Sequence, residues 1–171
     1  MGQDVEKVQR MMSLLEAYRQ EYQYLCENWQ EINRKAQFSI TASLIFISII
    51  VAFGPLLEPA PSPLVQGGVA VVLLPPIVAV VKALGVLTVR YYEDPPMGDP
   101  SNEWLEAIEN GDSKALVTVL HKKALKWQRA NLSQFHTNEE IAKDAKSAIR
   151  WVGYTVIVTG AVGLAIVLVE L

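Results

Sequence analysis

The sequence predicts an all-α membrane protein with three transmembrane helices, an N-terminal coiled-coil helix continuous with the first span, and a cytoplasmic helical insert. Apolar residues make up 51% of the 171 residues and are concentrated in three segments, 38–57, 64–89 and 151–171. Each segment reaches the roughly 20 residues that a helix needs to cross a bilayer. The remaining segments are predicted as the coiled-coil helix at 1–37, an external turn at 58–63 and the insert at 90–150.

The positions of Lys and Arg predict the orientation of the chain in the membrane. Residues 1–37 contain five of the 15 basic residues, and residues 82–150 contain the other ten. Because cytoplasmic segments of membrane proteins are enriched in Lys and Arg, we expect the N-terminus and the insert to be cytoplasmic and the C-terminus to be external. The mostly polar residues before the first apolar segment are untypical of a signal peptide. The single cysteine, Cys26, excludes an intrachain disulfide.

An alternation of three- and four-residue spacings over four heptads predicts the coiled coil. Its seam consists of Val8, Met11, Leu15, Tyr18, Tyr22, Leu25, Trp29, Ile32 and Ala36. Three aromatic seam residues are bulky for a two-stranded coil, so we expect three or more strands, or packing against other helices of the same chain. No Gly or Pro separates the seam from the first apolar segment, which predicts one continuous helix.

The same spacing continues into the first apolar segment, where it predicts a pore-lining stripe of Ser39, Ser43, Phe46 and Ile50. Small hydroxylated side chains allow close helix packing and hydrogen bonds across an interface in lipid. The alternative is that each hydroxyl only bonds the carbonyl one turn back. Thr41 and Ser48 lie off the stripe, and for them the alternative is favoured.

Pro75 and Pro76 lie within the second apolar segment. Each proline removes a backbone donor and crowds the preceding turn, which predicts a kink. The kink is interpreted either as a static bend or as a hinge for gating.

The insert is predicted to contain helices that begin at recognisable caps. Asp99 or Ser101 precedes a short helix ending at Asn110–Gly111, and Asp112 or Ser113 begins a second helix that reaches about Phe135. A capping box of Thr137 and Glu140 then predicts a third helix that continues into the last span.

Sequence motifs of catalysis are missing from the chain. There is no Walker-type loop, no GxSxG and no HExxH, and the two histidines have no cysteine cluster near them. We therefore expect no enzymatic activity, no metal site and no cofactor.

One cluster suits a ligand. Lys122, Lys126 and Arg129 share a helix face, with Trp127 beside them. Cations beside an aromatic ring suit a phosphate and a stacked base. They equally suit anionic lipid at the inner leaflet, and the third interpretation is a solvated helix face.

The order of these parts resembles the small transmembrane effectors of bacterial anti-phage nucleotide-signalling operons. The chain is most similar to the Pycsar transmembrane effectors and more loosely to SLATT-type and Hailong transmembrane effectors. Asn33-Arg34-Lys35-Ala36 resembles the family's Asp-x-Lys-Ala element, with Asn in the Asp position, and Lys146, Ile149 and Arg150 match its basic helix before the last span.

From the seam that continues into a hydroxyl-lined span, the proline break and the cytoplasmic basic helix, we expect a homo-oligomeric channel or pore, a tetramer, in the bacterial inner membrane. The resemblance implies a pore-forming or membrane-disrupting effector. It also implies control by a nucleotide or short nucleic-acid oligomer from a partner nucleotidyltransferase or cyclase. The alternative hypothesis is a non-conducting membrane scaffold whose coil recruits a cytoplasmic partner.

Overall fold

A computed structural model describes residues 2–53, 63–88 and 102–170 of the chain. Across these ranges the regular structure is helical throughout. The four helices are α1 (Gly2–Phe53), α2 (Pro63–Leu87), α3 (Asn102–Glu109) and α4 (Ser113–Glu170). Three of them contain stretches long and apolar enough to cross a membrane, within Val5–Ala52, Gln66–Leu87 and Ser113–Ala165. The predicted all-α class with three candidate spans is therefore confirmed.

Helix α1 continues without a break from the segment that carries the seam into the first apolar segment. Between Gly2 and Phe53 the sequence has neither Gly nor Pro, so no residue imposes a helix end. One continuous helix here was predicted from the sequence. Residues 54–57 of the predicted first span, and nearly all of the predicted external turn, lie outside the described residues.

Helix α2 passes through Pro75 and Pro76, and both side chains are buried. Whether they form a bend or a hinge stays a prediction. Near the end of α2, the Lys82 ammonium lies 3.3 Å from the Asp144 carboxylate of α4. Its charge therefore has a partner within the chain.

Helix α3 ends in a turn that leads directly into α4. Gly111 has a φ of 61°, which glycine adopts without a Cβ clash. The Gly111 and Asp112 amides donate to the carbonyls of Ile108 and Ala107, at 3.1 and 3.0 Å. The Asp112 carboxylate in turn accepts from the amides of Lys114 and Ala115. Asp112 is therefore the N-cap of α4, one of the two residues predicted for that role. The predicted caps Asp99 and Ser101 lie outside the described residues.

The prediction that a helix ends near Phe135 and another begins at Thr137 is wrong. Helix α4 extends unbroken from Ser113 to Glu170. The Thr137 hydroxyl donates to the Ser133 carbonyl at 3.0 Å, a bond one turn back within the same helix. The capping pattern therefore did not end the helix, and no Gly or Pro between Ser113 and Val152 interrupts it.

The chain divides into two compact units. The first unit is Met1–Trp29 with Arg90–Glu139, and the second is Gln30–Val89 with Glu140–Leu171. The described part of the first unit contains the N-terminal half of α1, all of α3 and the first half of α4. That of the second unit contains the rest of α1 and α4 together with α2. Helices α1 and α4 therefore contribute to both units.

In the first unit, two hydrogen bonds define how α1 and α4 pair. The Asn131 amide donates to the Tyr18 carbonyl at 3.1 Å, and the Asn138 amide donates to the Leu25 carbonyl at 2.7 Å. Each pair is 113 residues apart. A constant offset means that the helices run parallel. Tyr22 and Leu25 of the predicted seam are buried here, and these bonds join their helix to α4. Packing within one chain, one of the two arrangements predicted for the seam, is thus present.

The second unit has a core made mostly of small and branched side chains. They are Ile32 and Ala36 from α1, Ala83 and Val86 from α2, and Ile141, Ala145 and Ala148 from α4. Alanine at a helix contact allows the backbones to approach closely. The seam residue Ile32 again packs against the chain's own helices.

Candidate functional site

The first unit contains an open groove where α1, α3 and α4 meet. Its volume is about 680 Å³, within the usual range of small-molecule sites. We call it the aromatic groove and define it by its lining residues, which are Met12, Leu15, Glu16, Arg19, Tyr22, Gln23, Trp104, Leu120, Lys123 and Trp127.

Three aromatic side chains, those of Tyr22, Trp104 and Trp127, line the groove. Tyr22 and Trp127 pack edge to face, with ring centroids 5.6 Å apart and planes at 77°. Tyr22 is buried, whereas Trp127 and Trp104 are partly exposed. The edge-to-face contact fixes the orientation of the Trp127 ring. The groove therefore offers two partly exposed indoles, one from α3 and one from α4.

Charged side chains of both signs reach the same groove. Arg19 and Glu16 come from α1, and Lys123 comes from α4. The Lys123 ammonium lies 4.9 Å from the centroid of the Trp104 ring, a cation–π distance. This contact joins α3 to α4 and holds the ammonium at the groove.

The predicted ligand cluster is divided by this geometry. Trp127 lines the aromatic groove, while Lys122, Lys126 and Arg129 are exposed and are not among its lining residues. The Lys122 ammonium lies 3.5 Å from the Glu103 carboxylate. The neighbouring Lys123 occupies the groove instead. At 100° per residue, positions 123 and 127 lie about 40° apart on the helix. Positions 122 and 129 lie about 100° or more from both, and position 126 lies at the edge of the groove-facing side, about 60° from 123.

A row of buried side-chain amides on α4, C-terminal to the groove residue Trp127, was not predicted from the sequence. We call Asn131, Gln134 and Asn138 the amide ladder; each is at most 4% exposed. Gln134 donates to the Asn138 side-chain oxygen at 2.9 Å, and Asn131 also donates to the Glu21 carboxylate at 2.7 Å. The oxygens of Asn131 and Gln134 are buried without a hydrogen-bond partner among the described residues.

A signal for the amide ladder does exist in the sequence. The three- and four-residue spacing of Leu120, Ala124 and Trp127 continues through the ladder to Ile141. The assumed helix end near Phe135 concealed this continuity.

The predicted pore stripe lies within the second unit. Ser39 and Ser43 have no exposed surface, Phe46 and Ile50 are half-buried, and the off-stripe residues Thr41 and Ser48 are exposed. The Ser39 hydroxyl donates to the Lys35 carbonyl at 3.0 Å. The Ser43 hydroxyl has no partner among the described residues. The stripe therefore faces the chain's own helices in this conformation, and a pore-lining role stays a prediction.

The Asn33-Arg34-Lys35-Ala36 element also lies in the second unit. Ala36 is fully buried, and the Asn33 side-chain oxygen is buried without a partner among the described residues. The Lys35 ammonium lies 2.6 Å from the Glu31 carboxylate and lowers the pKa of that group. The element thus contributes a packing residue and a surface ion pair.

Metal-binding and thiol chemistry receive no support from the described residues. They contain no group of three or more His, Cys, Asp and Glu side chains that could hold a metal ion. Burial raises the pKa of the Cys26 thiol, and a hydrogen bond with Tyr22 only partly opposes that rise. A raised pKa leaves less of the reactive thiolate at neutral pH.

Comparison with known proteins gave no relative. No protein-family model, no curated protein and no solved structure matches this chain significantly.

Proposed function

We propose that this protein is an oligomeric membrane channel or pore effector of bacterial anti-phage defence. In this proposal it is gated by a nucleotide or oligonucleotide from a partner nucleotidyltransferase or cyclase. The main support is that α1 and α4 contribute both to the unit with the aromatic groove and to the unit with the apolar segments. A ligand that changes the contact between these two helices acts on elements that continue toward the membrane.

Gating in this proposal is a shift between two packings of the same helices. A ligand favours whichever packing it binds more tightly, and it shifts the equilibrium only by that difference in affinity. Ser39 and Ser43 are fully buried in the described conformation, and the proposal assigns this packing to the closed state. Opening would separate the helices around the stripe and hydrate the unpartnered Ser43 hydroxyl.

Assembly in this proposal uses surfaces other than the seam, because seam residues such as Leu25 and Ile32 are already buried within the chain. In the first unit, Leu125, Leu132 and Phe135 are exposed. Their spacing places them on one face of α4. Exposed apolar side chains grouped on one face are typical of interaction surfaces, so we propose this face for contacts between copies.

The second candidate function is a non-conducting membrane scaffold that recruits a cytoplasmic partner. The complete burial of Ser39 and Ser43 favours it, since these hydroxyls then serve close helix packing alone. The exposed face of α4 would in that case bind another protein. The two functions differ in whether the protein conducts ions.

State-dependent thiol modification distinguishes them. In a Cys26→Ser background, Ser43→Cys places a thiol on the stripe, and Ser48→Cys places one on the exposed side of the same helix. In proteoliposomes, membrane potential is followed with a voltage-sensitive dye while ATP, GTP, UTP and cyclic purine and pyrimidine mononucleotides are supplied on both sides and a charged, membrane-impermeant methanethiosulfonate is added. The channel proposal predicts depolarisation that the reagent blocks in Ser43→Cys and not in Ser48→Cys.

Other outcomes count against the channel. Unchanged potential with both variants present at parental abundance in the membrane supports the scaffold. Depolarisation that neither variant renders sensitive to the reagent places the conducting path away from Ser43.

A further inference from the structure

We infer that the aromatic groove is the ligand site, and that it binds a small nucleotide with its base on the indoles of Trp104 and Trp127 and its phosphate at Arg19 and Lys123. This inference rests on the proposed function and deepens it by naming the site and the size of its ligand. It also moves the site from the outer cations of α4 to the face that contacts α1 and α3.

The two indoles favour a planar aromatic ligand. Trp104 and Trp127 are both partly exposed at the groove. A ligand that covers these large apolar rings would gain favourable free energy from their burial. The contact with Tyr22 fixes one ring, and the Lys123 ammonium covers part of the other. A base that stacks on an oriented ring loses little free energy to ordering the side chain.

The cations favour an anionic group on the same ligand. Within the described part of the chain, no carboxylate is within ion-pair distance of Lys123, whose contact is with an aromatic face instead. On the outer face, by contrast, Lys122 is paired with Glu103. Arg19 adds a planar guanidinium, which binds phosphate oxygens in a bidentate manner.

Glu16 makes the groove more selective. Its side chain lines the same groove, and carboxylate oxygens accept hydrogen bonds, so it suits a base amino group or a ribose hydroxyl. It would repel a ligand that offers only negative charge. Aromatic, cationic and acceptor groups together match a nucleotide better than inorganic phosphate or a lipid headgroup.

The volume limits the size of the ligand. About 680 Å³ falls within the range of ordinary small-molecule sites. A mononucleotide or a small cyclic nucleotide suits this space, whereas an extended nucleic-acid strand would need a longer channel. Because Arg19 belongs to α1 and Lys123 to α4, a phosphate bound by both would connect the two helices that contribute to both units.

Isothermal titration of the protein in phosphatidylcholine nanodiscs tests the site. The probes are ATP, GTP, UTP, cyclic purine and pyrimidine mononucleotides, and a trinucleotide RNA, with inorganic phosphate and adenosine as partial ligands. The matched pair is Lys123→Gln against Lys126→Gln, two lysines on one helix of which only Lys123 lines the groove. We expect Lys123→Gln and Arg19→Gln each to weaken nucleotide binding about tenfold or more. Lys126→Gln and Arg129→Gln should leave it unchanged.

Trp104→Leu gives an independent readout of stacking. We expect it to weaken binding of the nucleotide and of adenosine by similar factors, and to leave the salt dependence of nucleotide binding intact. The charge variants should reduce that salt dependence. Circular dichroism confirms that each variant keeps its helices.

The outcomes separate this site from the proposed function. Nucleotide binding that is lost in Lys126→Gln and Arg129→Gln but kept in the groove variants overturns the groove and leaves nucleotide gating in place. Binding of inorganic phosphate as tightly as nucleotide also overturns it. If no probe binds at millimolar concentration, the groove assignment is wrong, and membrane depolarisation still decides separately whether the protein is a channel.

Discussion

The side chain of Asn138 makes a hydrogen bond that joins α4 to the backbone of α1. It is 3% exposed, donates to the Leu25 carbonyl and accepts from Gln134. Asn138→Ala removes both bonds and leaves the Gln134 side chain buried with no partner for its amide. We expect a loss of roughly 1–3 kcal/mol in the free energy of unfolding, since an unsatisfied buried polar group keeps its full desolvation cost. Thermal denaturation in detergent, followed by circular dichroism, measures it.

The control for this prediction replaces both polar partners. Gln134→Leu combined with Asn138→Leu removes donor and acceptor together, which costs little when the shapes are similar. The double variant should therefore melt nearer to the parent protein than Asn138→Ala does. Gln128→Ala, an exposed polar position on the same helix, should change stability by less than about 0.5 kcal/mol. Equal losses for Asn138→Ala and Gln128→Ala would contradict an energetic role for the ladder.

Which side of a helix a residue occupies was predicted from the sequence where one helix determines it. The stripe spacing separated the buried Ser39 and Ser43 from the exposed Thr41 and Ser48. The groove could not be predicted in this way, because Arg19, Trp104 and Lys123 come from three helices. Their proximity depends on how those helices pack, and no periodicity within one segment contains that information.

At the scale of elements, the parallel register of α1 and α4 is open to a direct test. In a Cys26→Ser background, Leu25→Cys with Asn138→Cys places two thiols at positions joined by a 2.7 Å side-chain-to-backbone hydrogen bond. We expect mild oxidation to form an intrachain disulfide, seen as faster migration of the monomer on a non-reducing gel. A disulfide requires Cα atoms within about 7 Å.

A second pair shifted by one heptad serves as the control. Leu25→Cys with Asn131→Cys moves one thiol about 10 Å along α4, beyond disulfide reach. This pair should remain reduced under the same conditions. Similar yields for both pairs would contradict the register. Crosslinked dimers from the first pair would show instead that α1 pairs with α4 of another copy.

Helix ends were predictable where backbone geometry determines them. The turn after α3 depends on the positive φ of Gly111, and the start of α4 depends on the N-cap Asp112. Both residues can be recognised in the sequence. The predicted boundary near Phe135 failed because it depended on a side-chain pattern alone. Burial of Asn138, Ile141 and Ala145 along one face of α4 outweighs the modest preference that a capping box provides.

At the scale of the molecule, the three candidate spans followed directly from length and hydropathy. That prediction succeeds because a bilayer imposes a minimum length and excludes charge, and both properties can be counted in a sequence. Ligand, assembly and conduction depend instead on contacts between helices or between copies. Residue counts do not encode such contacts.

Orientation is the last property of the whole molecule that the sequence predicts. All 15 Lys and Arg residues fall within residues 1–37 and 82–150. Because retention of Lys and Arg on the cytoplasmic side orients spans, the N-terminus and the insert should be cytoplasmic and the C-terminus external. Alkaline phosphatase fused after Leu171 should be active in bacteria, and green fluorescent protein at that position should be dark. Fused after Asp112, the reporters should behave in the opposite way. Bright fluorescence at both sites would place both ends of α4 in the cytoplasm and eliminate the third span.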